Sequence, residues 1–211
     1  MDQWLPRILT AIAGYLIGSF PTGVFLSKYK YRIDVREMGS GNIGATNVTR
    51  VFGWSAGALV FLIDFLKGLV PMMMIYSLVE KDPWITAFAG VGLIVGHCFS
   101  FFLGFDGGKG VATSFGVLCI VNWVGALVTL VGYVLGIAST RISAVGSLLG
   151  VLVLLSYTLV GDLEEPVKVL FFIISVLIIV RHKPNIERLL SNFKENPNEE
   201  ENESVDRPTS D

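Results

Sequence analysis

The chain has 211 residues, of which 52% are hydrophobic and only 16% charged, and its mean hydropathy is +0.63. Soluble domains carry about 25% charged residues, so this deficit points to a lipid environment. The net charge of −2 says nothing about nucleic acid, but no basic stripe interleaved with aromatics is present, so nucleic acid is not expected as a partner.

A membrane-crossing helix needs ~20 apolar residues. Leu9–Leu26 offers the first, interrupted by Gly18 and Pro21. Asp2 precedes it, Arg7 lies in its flank, and no A-x-A site follows, so it reads as a retained span rather than a signal peptide. Lys28, Lys30, Arg32 and Arg36 come next, followed by the glycine-rich stretch Met38–Arg50. Further spans are expected at Trp54–Leu78, Pro83–Leu103, Ala144–Val160 and Val167–Val180.

Ala112–Ser139, at 28 residues, is long for one span and short for two. Two halves of ~14 residues would each reach roughly 21 Å, against a hydrocarbon core of ~30 Å. Charge favours two. With a turn at Asn122–Trp123, Lys28, Lys30, Arg32, Arg36, Arg50, Lys109, Arg141, Arg181, Lys183, Arg188, Lys194 and Arg207 share one side. The other side keeps Arg7, Lys81 and Lys168 and receives Glu80, Asp82, Asp162, Glu164 and Glu165. The positive-inside rule then predicts an all-α integral membrane protein of seven spans, N-terminus outside and C-terminus cytoplasmic. The membrane domain covers 1–190, and 191–211 is an acidic tail without apolar periodicity, expected to be disordered.

Four polar islands fall on the cytoplasmic side under this topology: 38–50, 104–113, 139–147 and 181–188. The first, MGSGNIGATNVTR, is expected to have no core-forming capacity. Its glycines at 39, 41 and 44 allow tight bends and close approach to an anion, and consecutive N–H groups can form a nest for phosphate. The second, GFDGGKGVATSFG, holds Lys109 between Gly108 and Gly110. It is not a P-loop, since Gly110 stands where Ser or Thr would follow the lysine. A hinge with a snorkelling lysine is the rival reading, and the neighbouring first loop favours the anion site. Ser143 and Ser147 can be helix caps or site hydroxyls. In the fourth island Pro184 fits the first turn of a helix over Asn185–Leu190. Positive-inside anchoring accounts for Arg181 and Lys183, but not for His182 and Asn185. Asp64 and Lys67, at i and i+3 inside the second span, are either a brace for the glycine-rich loop or part of the chemistry.

No G-x-S-x-G elbow, no HExxH and no His-x4-Asp box occurs, and Cys98 and Cys119 form no CxxC pair. The islands are rich in anion holders and poor in general bases. Such a site suits a substrate that brings its own base or leaving group. A transporter for an organophosphate anion would share these loops, but would need polar residues continuing through the bundle.

GSGNIGATNV at 39–48, GGKG at 107–110 and RHKPNIERL at 181–189 resemble the three motifs of the bacterial membrane acyl-phosphate:glycerol-3-phosphate acyltransferases, a similarity covering roughly 5–190. The resemblance implies seven spans in the bacterial inner membrane and transfer of a fatty acyl group from acyl phosphate to the sn-1 hydroxyl of glycerol 3-phosphate. It implies no cofactor, no metal and no direct use of acyl-CoA or acyl carrier protein, and a functional link to the enzyme that forms acyl phosphate. It assigns catalytic roles to Ser40, Lys109, His182 and Asn185. It assigns substrate binding to Gly41, Asn42, Gly44, Ala45, Thr46, Asn47, Arg50, Gly107, Gly108, Gly110 and Ser147. A phosphate oxygen of the substrate would take the hydroxyl proton.

Overall fold

The computed structural model describes residues 3–78 and 82–195. They form two compact units, one ending at Arg181 and the other beginning at His182. Among the described residues every regular element is helical.

In the first unit α1 is Trp4–Gly18, and α2, Thr22–Leu26, runs into a wide turn over Ser27–Tyr31. After the first glycine-rich loop come α3, Ala45–Phe52, and α4, Trp54–Leu78. Then follow α5, Pro83–Cys98, α6, Val111–Val121, and α7, Trp123–Thr140. The unit closes with α8, Ser143–Val160, and α9, Glu165–Arg181. The second unit contains α10, Lys183–Glu195, with Pro184 in its first turn as expected. Residues 191–195 of the expected tail continue this helix, and the remainder lies outside the described residues.

Among the described residues five stretches are long and apolar enough to cross a membrane: Trp4–Tyr31, Trp54–Leu78, Pro83–Leu103, Trp123–Thr140 and Ser143–Val160. The 17-residue α9 and the 11-residue α6 are shorter apolar helices. An all-α integral membrane protein is therefore what the chain folds into. The break expected at Asn122 is present, because its Oδ1 accepts from Gly125 N at 2.7 Å and caps α7. It divides the run unequally, into 11 and 18 residues rather than two halves. Near 1.5 Å per residue α6 reaches about 16 Å, roughly half the hydrocarbon core.

α5 is the axis of the unit: 67% of its span is buried, against 22–39% for the other four. Its Leu93, Ile94 and Cys98 pack with Leu170, Phe171 and Ile174 of α9 and Val117 and Leu118 of α6. Glycines at 92 and 96 of α5 and at 14 and 18 of α1 bring those two backbones into direct contact, the small-residue packing of helices in lipid. Gly132 and Gly136 of α7 meet Gly150 and Gly146 of α8 in the same way.

The turns sort into two ends. One end gathers Tyr76, Pro83, Asn122 and Asp162–Glu164 around a cavity of about 590 Å³. The opposite end carries the polar islands of the first unit. There the first span breaks at Ser19–Pro21, and the break is satisfied by other helices: Lys67 Nζ donates to the Phe20 carbonyl at 3.0 Å and Ser100 Oγ to the Ser19 carbonyl at 2.5 Å. Irregular backbone at membrane depth survives only when its polar groups are satisfied by protein in this way.

Candidate anion site

The first loop does have a core of its own, contrary to the expectation from its polar sequence. Ile43 and Val48 are buried with Val24, Val35, Ala56 and Val60, and Tyr31, Phe52 and Leu103 pack around them. Small polar residues dominate the stretch, but these two side chains pin it from within. Asp34 anchors the loop entrance, 2.9 Å from Lys28 and 2.7 Å from Arg36. The Arg36 guanidinium holds the Asp34 carboxyl well below the usual carboxylate range.

Asn47 is the peg of the loop. It is 2% exposed; its Oδ1 accepts from Ser40 N at 2.8 Å, and its Nδ2 donates to the carbonyls of Met38 (3.0 Å) and Val35 (3.3 Å). Its amide therefore shapes the turn that presents the exposed Ser40. Asn42 Oδ1 accepts from Gly44 N at 2.9 Å and forms the next bend. Gly41 carries φ +73°, which the glycine at this position permits. Ala45 and the exposed Thr46 open α3, and Arg50 is exposed in its last turn.

The second loop doubles back over the end of α5. Gly107 N donates to the Cys98 carbonyl at 3.1 Å and Gly108 N to the His97 carbonyl at 3.0 Å. From the other side Arg181 donates to the carbonyls of Gly107 (2.6 Å) and Gly108 (3.0 Å) and to Asp106 Oδ1 (3.2 Å), with its guanidinium 5.4 Å from the Phe99 ring. Arg181 is thus a clamp on the glycine-rich strand, where sequence reading saw a topology anchor. Lys109 follows directly, half-buried, and Gly110 at φ +80° turns the chain into α6.

The two loops adjoin, since Leu103 packs into the small core beneath the first. The third island joins them: Thr46 Oγ1 lies 3.3 Å from Ser143 Oγ, which is also 3.4 Å from Tyr133 OH. Ser143 is the first residue of α8 and does not cap it; Ser147, 6% exposed, donates from Oγ to the Ser143 carbonyl at 3.0 Å. His182 and Asn185 lie in the second unit, where Asn185 N donates to the His182 carbonyl at 2.9 Å.

This geometry brings the N-termini of α3, α6 and α8 to one end of the first unit. None of the three has a side-chain cap. Of the helices that start at the opposite end, α5 and α7 are capped by Asp82 and Asn122, while α1 has no side-chain cap. Uncapped helix N-termini direct free N–H groups and partial positive charge outward, which is how proteins bind phosphate.

Beneath the loops sits a polar cluster inside the bundle. Asp64 Oδ1 is 2.7 Å from Lys67 Nζ, with both side chains at most 7% exposed, and accepts from Thr22 Oγ1 at 2.8 Å. The i, i+3 pair expected from sequence is formed. The contributions of Thr22, His97 and Thr113 to the cluster had no sequence signal.

The chain is a helical membrane protein that gathers glycine-rich backbone and uncapped helix N-termini at one end. The family described as glycerol-3-phosphate acyltransferase matches residues 8–192, and the chain belongs to it. It is 42% identical over 193 residues to a glycerol-3-phosphate acyltransferase of Synechococcus sp. (strain JA-3-3Ab), covering 90% of this chain and 93% of that one. It is 44% identical over 196 residues to one from Anaeromyxobacter dehalogenans (strain 2CP-1 / ATCC BAA-258), covering 90% and 96%. The crystal structure of PlsY (YgiH), an integral membrane glycerol 3-phosphate acyltransferase, superposes in its glycerol 3-phosphate form with a TM-score of 0.82 at 36% identity, covering 88% of this chain and 92% of that one. Its lysophosphatidic acid form gives 0.78 at 35%, with the same coverage.

Proposed function

We propose that this chain transfers a fatty acyl group from acyl phosphate to the sn-1 hydroxyl of glycerol 3-phosphate, giving 1-acylglycerol 3-phosphate (lysophosphatidic acid) and inorganic phosphate. The observation that supports this most is that three uncapped helix N-termini share the end of the first unit that carries Ser40 and Lys109. Two phosphates, one on each substrate, need such a concentration of fixed donors.

In the reaction the glycerol hydroxyl oxygen attacks the acyl carbonyl carbon. The bond from that carbon to the phosphate oxygen breaks, and a phosphate oxygen takes the hydroxyl proton. Acyl phosphate is already activated, so the protein's work is to align two anions and stabilise developing charge. Ser40, Lys109, His182 and Asn185 carry that role. The backbone at Gly41, Asn42, Gly44, Ala45, Gly107, Gly108 and Gly110, with Thr46, Arg50 and Ser147, holds the substrates. Asn47 and Arg181 shape the two loops. Seven membrane crossings, with the N-terminus outside, put this end on the cytoplasmic face of a bacterial inner membrane. There the chain would receive acyl phosphate from the enzyme that forms it.

The test is direct. Detergent-purified protein given glycerol 3-phosphate and palmitoyl phosphate is expected to form lysophosphatidic acid. Uptake of labelled glycerol 3-phosphate into liposomes without product would instead make the chain a transporter.

A further inference from the structure

We infer that His97, held by Thr113, Asp64 and Lys67, is a positioning residue that sets the height of the Gly107–Lys109 strand. The inference rests on the reading above, in which Lys109 meets a substrate phosphate.

His97 is 4% exposed and Asp64 3%, while Thr113 is fully buried. Thr113 Oγ1 donates to the Asp64 carbonyl at 3.0 Å and lies 3.3 Å from His97 Nδ1. Its single proton is thereby committed, so at Nδ1 the hydroxyl acts as acceptor. That bond, with Asp64 Oδ1 at 3.8 Å, turns the Nε2 edge of the ring toward Gly108. A Cβ at Gly108 would run into Nε2 and lie 3.0 Å from Cδ2 and Cε1. The strand rests on the imidazole with no room for any side chain.

Gly108 is therefore fixed from both sides. His97 supports it below and through its own carbonyl, and Arg181 grips its carbonyl above. Lys109 is the next residue, so its backbone inherits this placement. A buried ion pair inside a membrane bundle is a costly way to gain stability, and apolar residues of equal volume do as well or better. The cluster meets the glycine strand through His97, by the Nε2 edge of its ring and by its carbonyl, and there it fixes a geometry.

The test is a double-mutant cycle between His97→Leu and Lys109→Arg, read as kcat for lysophosphatidic acid formation, with thermal unfolding of each purified variant. His97→Leu keeps the volume and removes the oriented edge. It is expected to lower kcat at least tenfold in the wild-type background and less than threefold in the Lys109→Arg background, because the lysine is what the ring positions. His97→Asn, which restores a donor near the Nδ1 position, should recover part of the loss. If His97→Leu does not fold, Thr113→Val takes its place with the same expected pattern. Equal factors in both backgrounds, or unchanged kcat in a folded variant, would overturn the inference while leaving the reaction intact. A wild-type protein that makes no product would overturn the functional reading and this inference together.

Discussion

Replacing Asn47 with Asp alters one functional group and almost no volume. The carboxylate still accepts from Ser40 N, but it cannot donate to the Met38 and Val35 carbonyls now 3.0 and 3.3 Å from Nδ2. Two lost hydrogen bonds contribute about 1 kcal/mol each; the two carbonyls keep their backbone donors, Gly41 N and Met38 N, but the second carboxylate oxygen of Asp is buried against them without a donor, which adds about another 1 kcal/mol or more. The total, about 3 kcal/mol, corresponds to roughly 10²-fold at 1.36 kcal/mol per decade. This penalty falls on the loop and spares the helix contacts of the bundle. Initial rates of lysophosphatidic acid formation should therefore drop by about that factor, while the unfolding midpoint of the purified variant moves by only a few degrees. Half or more of wild-type activity in Asn47→Asp would refute the reasoning that the amide shapes the Ser40 turn.

Other outcomes follow from the same geometry. Lys109→Ala and Ser40→Ala should each insert and fold yet lose about 10²–10³ in kcat, as removal of a single oxyanion donor does; a radiolabelled-acceptor assay reads this. Arg181→Lys keeps the charge but loses the planar fork that reaches Gly107 and Gly108 together, and should cut kcat about tenfold without altering membrane insertion. Asp34 has a depressed folded-state pKa, so its pairing with Arg36 and Lys28 stabilises the fold above the unfolded carboxylate value near ~3.9 and is lost as pH falls through the lower folded value. The stability margin of wild type over Asp34→Asn should accordingly stay constant from pH 8 to pH 5 and shrink only below about pH 4, as followed by thermal melts across pH.

Much of this architecture is legible in the sequence because lipid imposes simple rules. Apolar runs give the helices, and basic residues sort the turns to one side. Asn122, a strong cap between two apolar halves, marks the break within 112–139. The unequal lengths of α6 and α7 were not readable, since hydropathy is continuous across both. In the site, the glycine-rich strings announce close backbone approach, and both lie at the end where helix N-termini meet. What they do not announce is what holds them. Arg181 lies more than seventy residues from the strand it clamps, and a basic residue at a helix end already satisfies the topology rule. His97 and Thr113 look like ordinary interior polar residues until the fold sets them against Asp64. Ile43 and Val48 were hidden by their polar neighbours, although two β-branched residues suffice to seat a loop once Val35 and Val60 are beside them.

In the proposed acyl transfer to glycerol 3-phosphate, phosphate serves as both handle and leaving group. This dual role is tested most directly by measuring lysophosphatidic acid and inorganic phosphate together in one reaction of the purified protein with palmitoyl phosphate. The two are expected in equal amounts, and palmitoyl-CoA should yield neither. Product formed from palmitoyl-CoA at a comparable rate, or phosphate released without acylated product, would contradict that role.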